Sequence, residues 1–160
     1  MLKPLLTVVG LGAIVGAVWP SGHASAPAKA AASSPGTAAV PRETLLKRHE
    51  DGHFYADVEV NGELVHFLID TGASGVALTE EDAERVGLHF SPSEYEPVGM
   101  GAAGPIRGKL VTLDRVSLDG KEARDVHGAI LQGSTLSLLG QAYLSKLGSV
   151  EMSGDYMRLD

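Results

Sequence analysis

The sequence predicts an all-β domain carrying one or two short helices. Three observations lead there. Apolar and polar residues alternate from Phe54 to Val60, the signature of a half-buried strand. Asn61-Gly62 and Asp119-Gly120 sit between such runs, and these pairs accept the positive φ that a tight hairpin demands. The 20 glycines punctuate the chain into short segments, leaving room for only brief helices.

A chain of 160 residues holds one domain and a tail. Without cysteine it forms no disulfide and offers no thiolate to chemistry or zinc. A net charge of −7 argues against nucleic acid as a partner.

Lys3 precedes an apolar run from Leu5 to Trp19, too short for an ordinary membrane span of about 20 residues and suited to a signal peptide. Ala24-Ser25-Ala26 is a cleavage candidate, but Pro27 follows it, so residues 1–26 are either a cleaved leader or a retained anchor. Both readings export the body to the periplasm, where only this segment touches the membrane. Residues 27–43, rich in Ala, Pro and Ser, read as a flexible linker, and residues 44–160 as the folded domain. Arg42 to Arg48 is a helical turn or an entering strand.

His49-Glu50-Asp51-Gly52-His53 matches H-E-x-x-H, the pattern of a zinc peptidase. That chemistry needs both histidines on one face of a long helix. Asp51-Gly52 breaks a helix, so the segment is expected to be a turn into the first strand, and no metal is assigned.

Phe54 to Val60 turns at Asn61-Gly62 and returns as Leu64 to Ile69, which delivers Asp70. A carboxylate at the mouth of an apolar strand costs several kcal/mol unless it is hydrogen-bonded or protonated. Val76 to Leu78 leaves as a second apolar strand. Thr79 caps a helix whose first turn holds Glu80, Glu81 and Asp82, and Gly87 ends it. Tyr95 to Met100 and Ile106 to Leu118 form a long hairpin around the small tip Gly101-Ala102-Ala103-Gly104. Val116 to Lys121 echoes Val58 to Glu63, 58 residues on. Leu138-Leu139-Gly140 precedes a helix over Gln141 to Leu147. Val150 to Met152 and Tyr156 to Leu159 are short strands around Ser153-Gly154-Asp155. His66, His89 and His127 are scattered, as surface or strand residues.

The stretch Phe67-Leu68-Ile69-Asp70-Thr71-Gly72-Ala73-Ser74 resembles the active-site turn of the aspartic proteases. From Gly52 to Leu159 the chain is similar to the bacterial retropepsin-like branch, with half of an acid-protease barrel. The resemblance implies that Asp70 is catalytic and that Thr71, Gly72, Ala73 and Ser74 form its turn. Met100, Gly101, Ala102, Ala103 and Gly104 would be the flap, although Ala102 and Ala103 leave its apex without a bulky apolar side chain. Leu138, Leu139 and Gly140 would support the active-site loop. Aspartic proteolysis uses two carboxylates that share one proton around a water and needs no cofactor. This chain has one Asp-Thr-Gly. The expected partners are therefore a second copy, giving a homodimeric endopeptidase, and a peptide or protein substrate. A non-catalytic peptide-binding or dimerisation domain of the same fold is the competing reading.

Overall fold

The computed structural model describes residues 40–101 and 104–160. The expected leader, most of the linker, and Ala102 and Ala103 lie outside the described residues. Among the described residues, ten strands and two short α-helices follow one another. Strands β2 (Tyr55–Val60) and β3 (Glu63–Ile69) form the first hairpin; β4 (Val76–Leu78) and α1 (Glu80–Arg85) follow. Then come β5 (Glu96–Gly101), β6 (Gly104–Leu118) and β7 (Lys121–Leu131), and after them β8 (Ser137–Leu139) and α2 (Gln141–Leu144). A separate three-stranded sheet takes β1 (Thr44–Lys47), β9 (Val150–Ser153) and β10 (Tyr156–Leu159), in the order β1-β10-β9.

The seven-stranded sheet runs β2-β3-β8-β4-β7-β6-β5, and an added β2–β6 pairing closes six of these strands into a barrel. Both expected hairpin turns are present. Asn61 and Gly62 have φ of 52° and 100°, and Asp119 and Gly120 have 50° and 81°. The two echoing segments meet each other, with Val60 opposite Val116 in antiparallel register. Asn61 seals the junction. Its amide donates to the Arg115 carbonyl (2.9 Å), and its side-chain oxygen accepts from the Arg115 amide (3.1 Å).

Strands β3 and β4 are consecutive in sequence but are not neighbours in the sheet. β8 lies between them, parallel to β3 through Leu68↔Leu138 and bridged to β4 through Ala77↔Leu138. β4 in turn runs parallel to β7. These pairings bury β4 and β8 completely, so both read as unbroken apolar runs.

Several boundaries differ from expectation. Arg42 to Arg48 resolves as strand β1, paired to β10. The second helix stops at Leu144 rather than Leu147, because a single turn is all that fits before Lys146 and Leu147 bond back to Tyr143 and Leu144. A 3-10 turn over Pro92–Glu94, capped by Ser91, precedes β5. α1 ends as expected, with Gly87 at φ 81° just past its cap.

One core gathers Val58, Val65, Phe67, Leu113, Val126, Leu139 and Tyr143 among others. Tyr143 is fully buried, and its hydroxyl bridges the second hairpin turn. It donates to the Lys121 carbonyl (2.6 Å) and accepts from the Leu118 amide (3.1 Å). Burial pushes this phenol up to about 12 from 10.0. A raised folded-state value means the contribution is whole below pH 10.0 and is lost as pH climbs toward about 12. Tyr143→Phe should lower unfolding stability by about 1–3 kcal/mol at neutral pH, since it orphans a buried amide and a carbonyl. In urea titrations from pH 9 to 12, the wild type should lose its advantage over the variant.

Candidate active site

Asp70 stands immediately after β3, where the strand leaves the sheet. Its amide donates to the Leu139 carbonyl (3.1 Å) and its carbonyl accepts from Ala73 (3.2 Å), which folds the chain into a tight loop. Within that loop the Gly72 amide donates to the Asp70 carboxylate at 2.9 Å. A Cβ at Gly72 would stand 3.3 Å from that same oxygen, so glycine keeps the carboxylate uncrowded. The Asp70 side chain is half-buried, Ala73 is buried, and Thr71, Gly72 and Ser74 are exposed.

The start of α2 clamps the loop from below. Gln141 and Ala142 amides donate to the carbonyls of Ala73 (2.8 Å) and Ser74 (2.9 Å), and the Gln141 side chain donates to the Thr71 carbonyl (2.9 Å). Gly140 makes this approach possible. A Cβ there would lie 2.6 Å from the Ala73 carbonyl oxygen and closer still to that of Gly75. The residues expected to act together, Asp70 to Ser74 and Leu138 to Gly140, are thus brought into one unit.

A buried acid supports it. Asp82 on α1 accepts from the Ser137 hydroxyl at the start of β8 and pairs with Arg85. Ser137 also accepts from the Thr79 amide (3.1 Å), and Thr79 caps the helix by accepting from Asp82 (3.0 Å). Arg85 reaches across to the Leu64 carbonyl (2.8 Å). The Thr-x-x-Asp spacing of the cap is visible in sequence. The partnership with Ser137 is not, because 55 residues intervene.

Beside the loop lies a cavity of about 420 Å³, reached at Ser74 and Gly75 and walled by Ala77, Val98, Ile106 and Leu131. Asp70 is not among the residues that line it. The β5–β6 hairpin forms one wall, narrowing through Met100↔Pro105 to Gly101↔Gly104, with Met100 exposed. Gly101 would crowd the Ile106 side chain if it carried a Cβ.

The His49–His53 segment is a turn, closed by the His49 amide on the His53 carbonyl (2.8 Å). It offers no helical face for a metal. Asp51 accepts from the Tyr55 hydroxyl (2.6 Å) and the His53 amide (3.0 Å), which hold its carboxyl below the ordinary range. His66 pairs with Asp57 at 2.7 Å on the exposed face of the first hairpin. His127 is exposed on β7, and His89 is exposed in the segment after α1.

A family described as gag-polyprotein putative aspartyl protease matches residues 56–146. The chain belongs to this aspartyl protease family. A retropepsin-like aspartic protease from Rickettsia conorii superposes with a TM-score of 0.62 at 32% identity, covering 74% of this chain and 89% of that one. An EIAV protease complexed with an inhibitor matches at a TM-score of 0.50 and 18% identity, covering 62% of this chain and 91% of that one, a likeness of fold. Among curated proteins, an uncharacterized Sinorhizobium protein in the cobV 5′ region is 34% identical over 120 residues, 74% of this chain and 52% of the relative. An uncharacterized protein of Rickettsia prowazekii (strain Madrid E) is 32% identical over 119 residues, 74% of this chain and 51% of the relative. The chain therefore spans about half the length of the curated relatives it matches. It is a bacterial retropepsin-like member of the family.

Gly140→Ala tests the clamp. Two backbone oxygens leave no space for the methyl group, and overpacking of this kind costs about 1–3 kcal/mol, occasionally more. Chemical denaturation should place the variant at or above the top of that range, whereas alanine at the open turn glycine Gly133 should cost less.

Proposed function

We propose that two copies of this chain combine into an aspartic endopeptidase, each supplying Asp70. The observation that carries this reading is the Asp70 loop itself. A single carboxylate projects from a loop fixed by Gly72, Leu139 and the start of α2, in a chain with one Asp-Thr-Gly. A lone carboxylate lacks the acid–base partner that amide hydrolysis needs. Two brought face to face about a two-fold axis cannot both stay ionised, so they hold one proton between them. The ionised member takes a proton from a water as it attacks the scissile carbonyl. The protonated member donates to the carbonyl oxygen. The pair titrates as a unit.

The surrounding features take consistent roles. The exposed Thr71 hydroxyl is available to bond across the axis, and Gly72 lets substrate backbone approach. The β5–β6 hairpin from Met100 to Gly104 closes over the substrate as a flap and excludes water. An extended peptide then seats apolar side chains in the cavity beside Ser74, walled by Ala77, Val98 and Ile106. Leu5 to Trp19 exports the domain, which works in the periplasm, free or tethered.

Wild type and Asp70→Asn are compared on a peptide library from pH 4 to 7. Wild type should cleave with a bell-shaped pH profile, and Asp70→Asn should fall by at least about 10³-fold in kcat/KM. Undiminished cleavage by the variant rejects the role given to Asp70.

A further inference from the structure

The cavity beside Ser74 takes its walls from separate parts of the chain. Ala77 stands on β4, whereas Val98 and Ile106 stand on the β5–β6 hairpin. That hairpin is anchored at one end. β6 pairs with β7 from Gly108 onward, with Gly108 opposite Leu131, and the Arg107 carbonyl accepts from Gln132 (3.0 Å). Beyond that point Gly104, Pro105 and Ile106 pair with β5, the outer strand of the sheet. Residues 96–101 and 104–107 therefore form an arm. A bulge between Pro97 and Gly99 falls at Val98, a buried residue of the cavity wall. How the root of this arm is held decides where that wall stands.

The root is Tyr95, the residue before β5. It is buried, and its ring stacks on Phe90 at 6.0 Å. Its carbonyl accepts from the Arg107 guanidinium (2.7 Å), which joins the two sides of the hairpin. Its hydroxyl donates to the Glu80 carboxylate (2.5 Å). Among the bonds described, this is the one that joins the root to α1. Glu80 opens that helix and follows Ala77 by three residues. The same helix holds Ser137 through Asp82, behind the Asp70 loop. Burial, and after it the Glu80 bond, push the Tyr95 phenol up to about 12, so it remains a donor at neutral and acid pH. On the β6 side, Lys109 pairs with Glu94 (2.7 Å) and donates to the His89 carbonyl (3.0 Å), contacts with the segment after α1 and not with α1 itself.

We propose that Tyr95 and Glu80 are positioning residues, whose hydrogen bond fixes the root of the arm to α1 and so sets how far Val98 and Ile106 stand from Ala77. The inference deepens the peptidase reading above and rests on it for the effect on cleavage. The floor of the cavity runs into α1 through Leu78 and Thr79, and the hairpin wall reaches the same helix through one hydroxyl. Both walls then take their position from one body. A hydrogen bond to a charged acceptor is strong enough to hold such a distance. Without the hydroxyl the ring still packs on Phe90, so the root stays buried but loses its fixed distance from the helix. The arm then samples wider settings, and a substrate side chain binds the cavity less tightly before any chemistry begins. Binding lost equally from ground state and transition state raises KM and spares kcat.

The full chain is prepared in mild detergent as wild type, Tyr95→Phe, Glu80→Ala and Glu80→Gln, each checked for folding by circular dichroism. Amide exchange is followed segment by segment, and cleavage is followed on a peptide that the wild type cuts. In Tyr95→Phe and Glu80→Ala, exchange in the arm should quicken by about tenfold while β7 keeps the wild-type rate. KM should rise by about five- to tenfold with kcat unchanged. Glu80→Gln keeps an acceptor oxygen and should hold both quantities within about twofold of wild type. Unchanged exchange in the arm, exchange quickened equally in β7, an unchanged KM, or a fall in kcat at constant KM overturns the proposal. So does a Glu80→Gln variant as impaired as Glu80→Ala. Should Tyr95→Phe fail to fold, Glu80→Ala, at the partly exposed end of the bond, carries the same test. Quickened exchange confined to the arm, in a chain that cleaves nothing, keeps the Tyr95–Glu80 tie and rejects the peptidase reading. Cleavage and exchange at wild-type levels in every variant keep the peptidase reading and reject the tie.

Discussion

The structure depends on one close approach, the backbone of Gly140 beneath the loop that carries Asp70. Strand β8 enters between β3 and β4, and its last residue before Gly140 takes the Asp70 amide through the Leu139 carbonyl. Two loop carbonyls then find donors at the start of α2. Any side chain at Gly140 would meet Ala73 and Gly75 backbone. A loop that presents a carboxylate must otherwise leave backbone groups unpaired or mobile, and each unpaired buried group costs about 1–3 kcal/mol. Here two bonds within the loop are joined by partners from a segment 70 residues further along the chain, so its carbonyls are paired from outside as well as within.

Rigidity is propagated outward by the network of Asp82, Ser137, Thr79 and Arg85. It fixes the start of β8 to α1, and α1 to the first hairpin through Leu64. Asp82 is a buried acid whose oxygens are occupied by a hydroxyl and a guanidinium. The contrast with Asp70 is chemical. Among the bonds described, the Asp70 carboxylate accepts from a single loop amide and is only half-buried. Asp82 is spent on structure, whereas Asp70 remains open toward what approaches the loop. The proposed dyad and the proposed flap both build on that difference.

Much of the fold was legible in the chain itself. The alternation from Phe54 to Val60, the two turn pairs and the Thr79 cap are local, and each was found where expected. The echo between Val58–Glu63 and Val116–Lys121 proved to be physical contact, with Val60 opposite Val116. Errors fell at element ends. The Gln141 helix came out shorter than its apolar pattern, since Lys146 and Leu147 turn back onto its own last residues. Arg42 to Arg48 was ambiguous because a four-residue strand gains its identity only from pairing with β10, more than a hundred residues away.

The sequence by itself determined the chemistry on offer: one Asp-Thr-Gly, no thiol, and turns whose glycines and asparagine admit only a few backbone shapes. It determined these because side-chain type and short-range sterics act over a few residues. Tertiary structure alone decided that β8 divides β3 from β4, that Ser137 anchors Asp82, and that β1, β10 and β9 form a sheet of their own. Those outcomes are pairings between distant strands, selected by how apolar faces of the whole chain are buried together, and no local pattern encodes them.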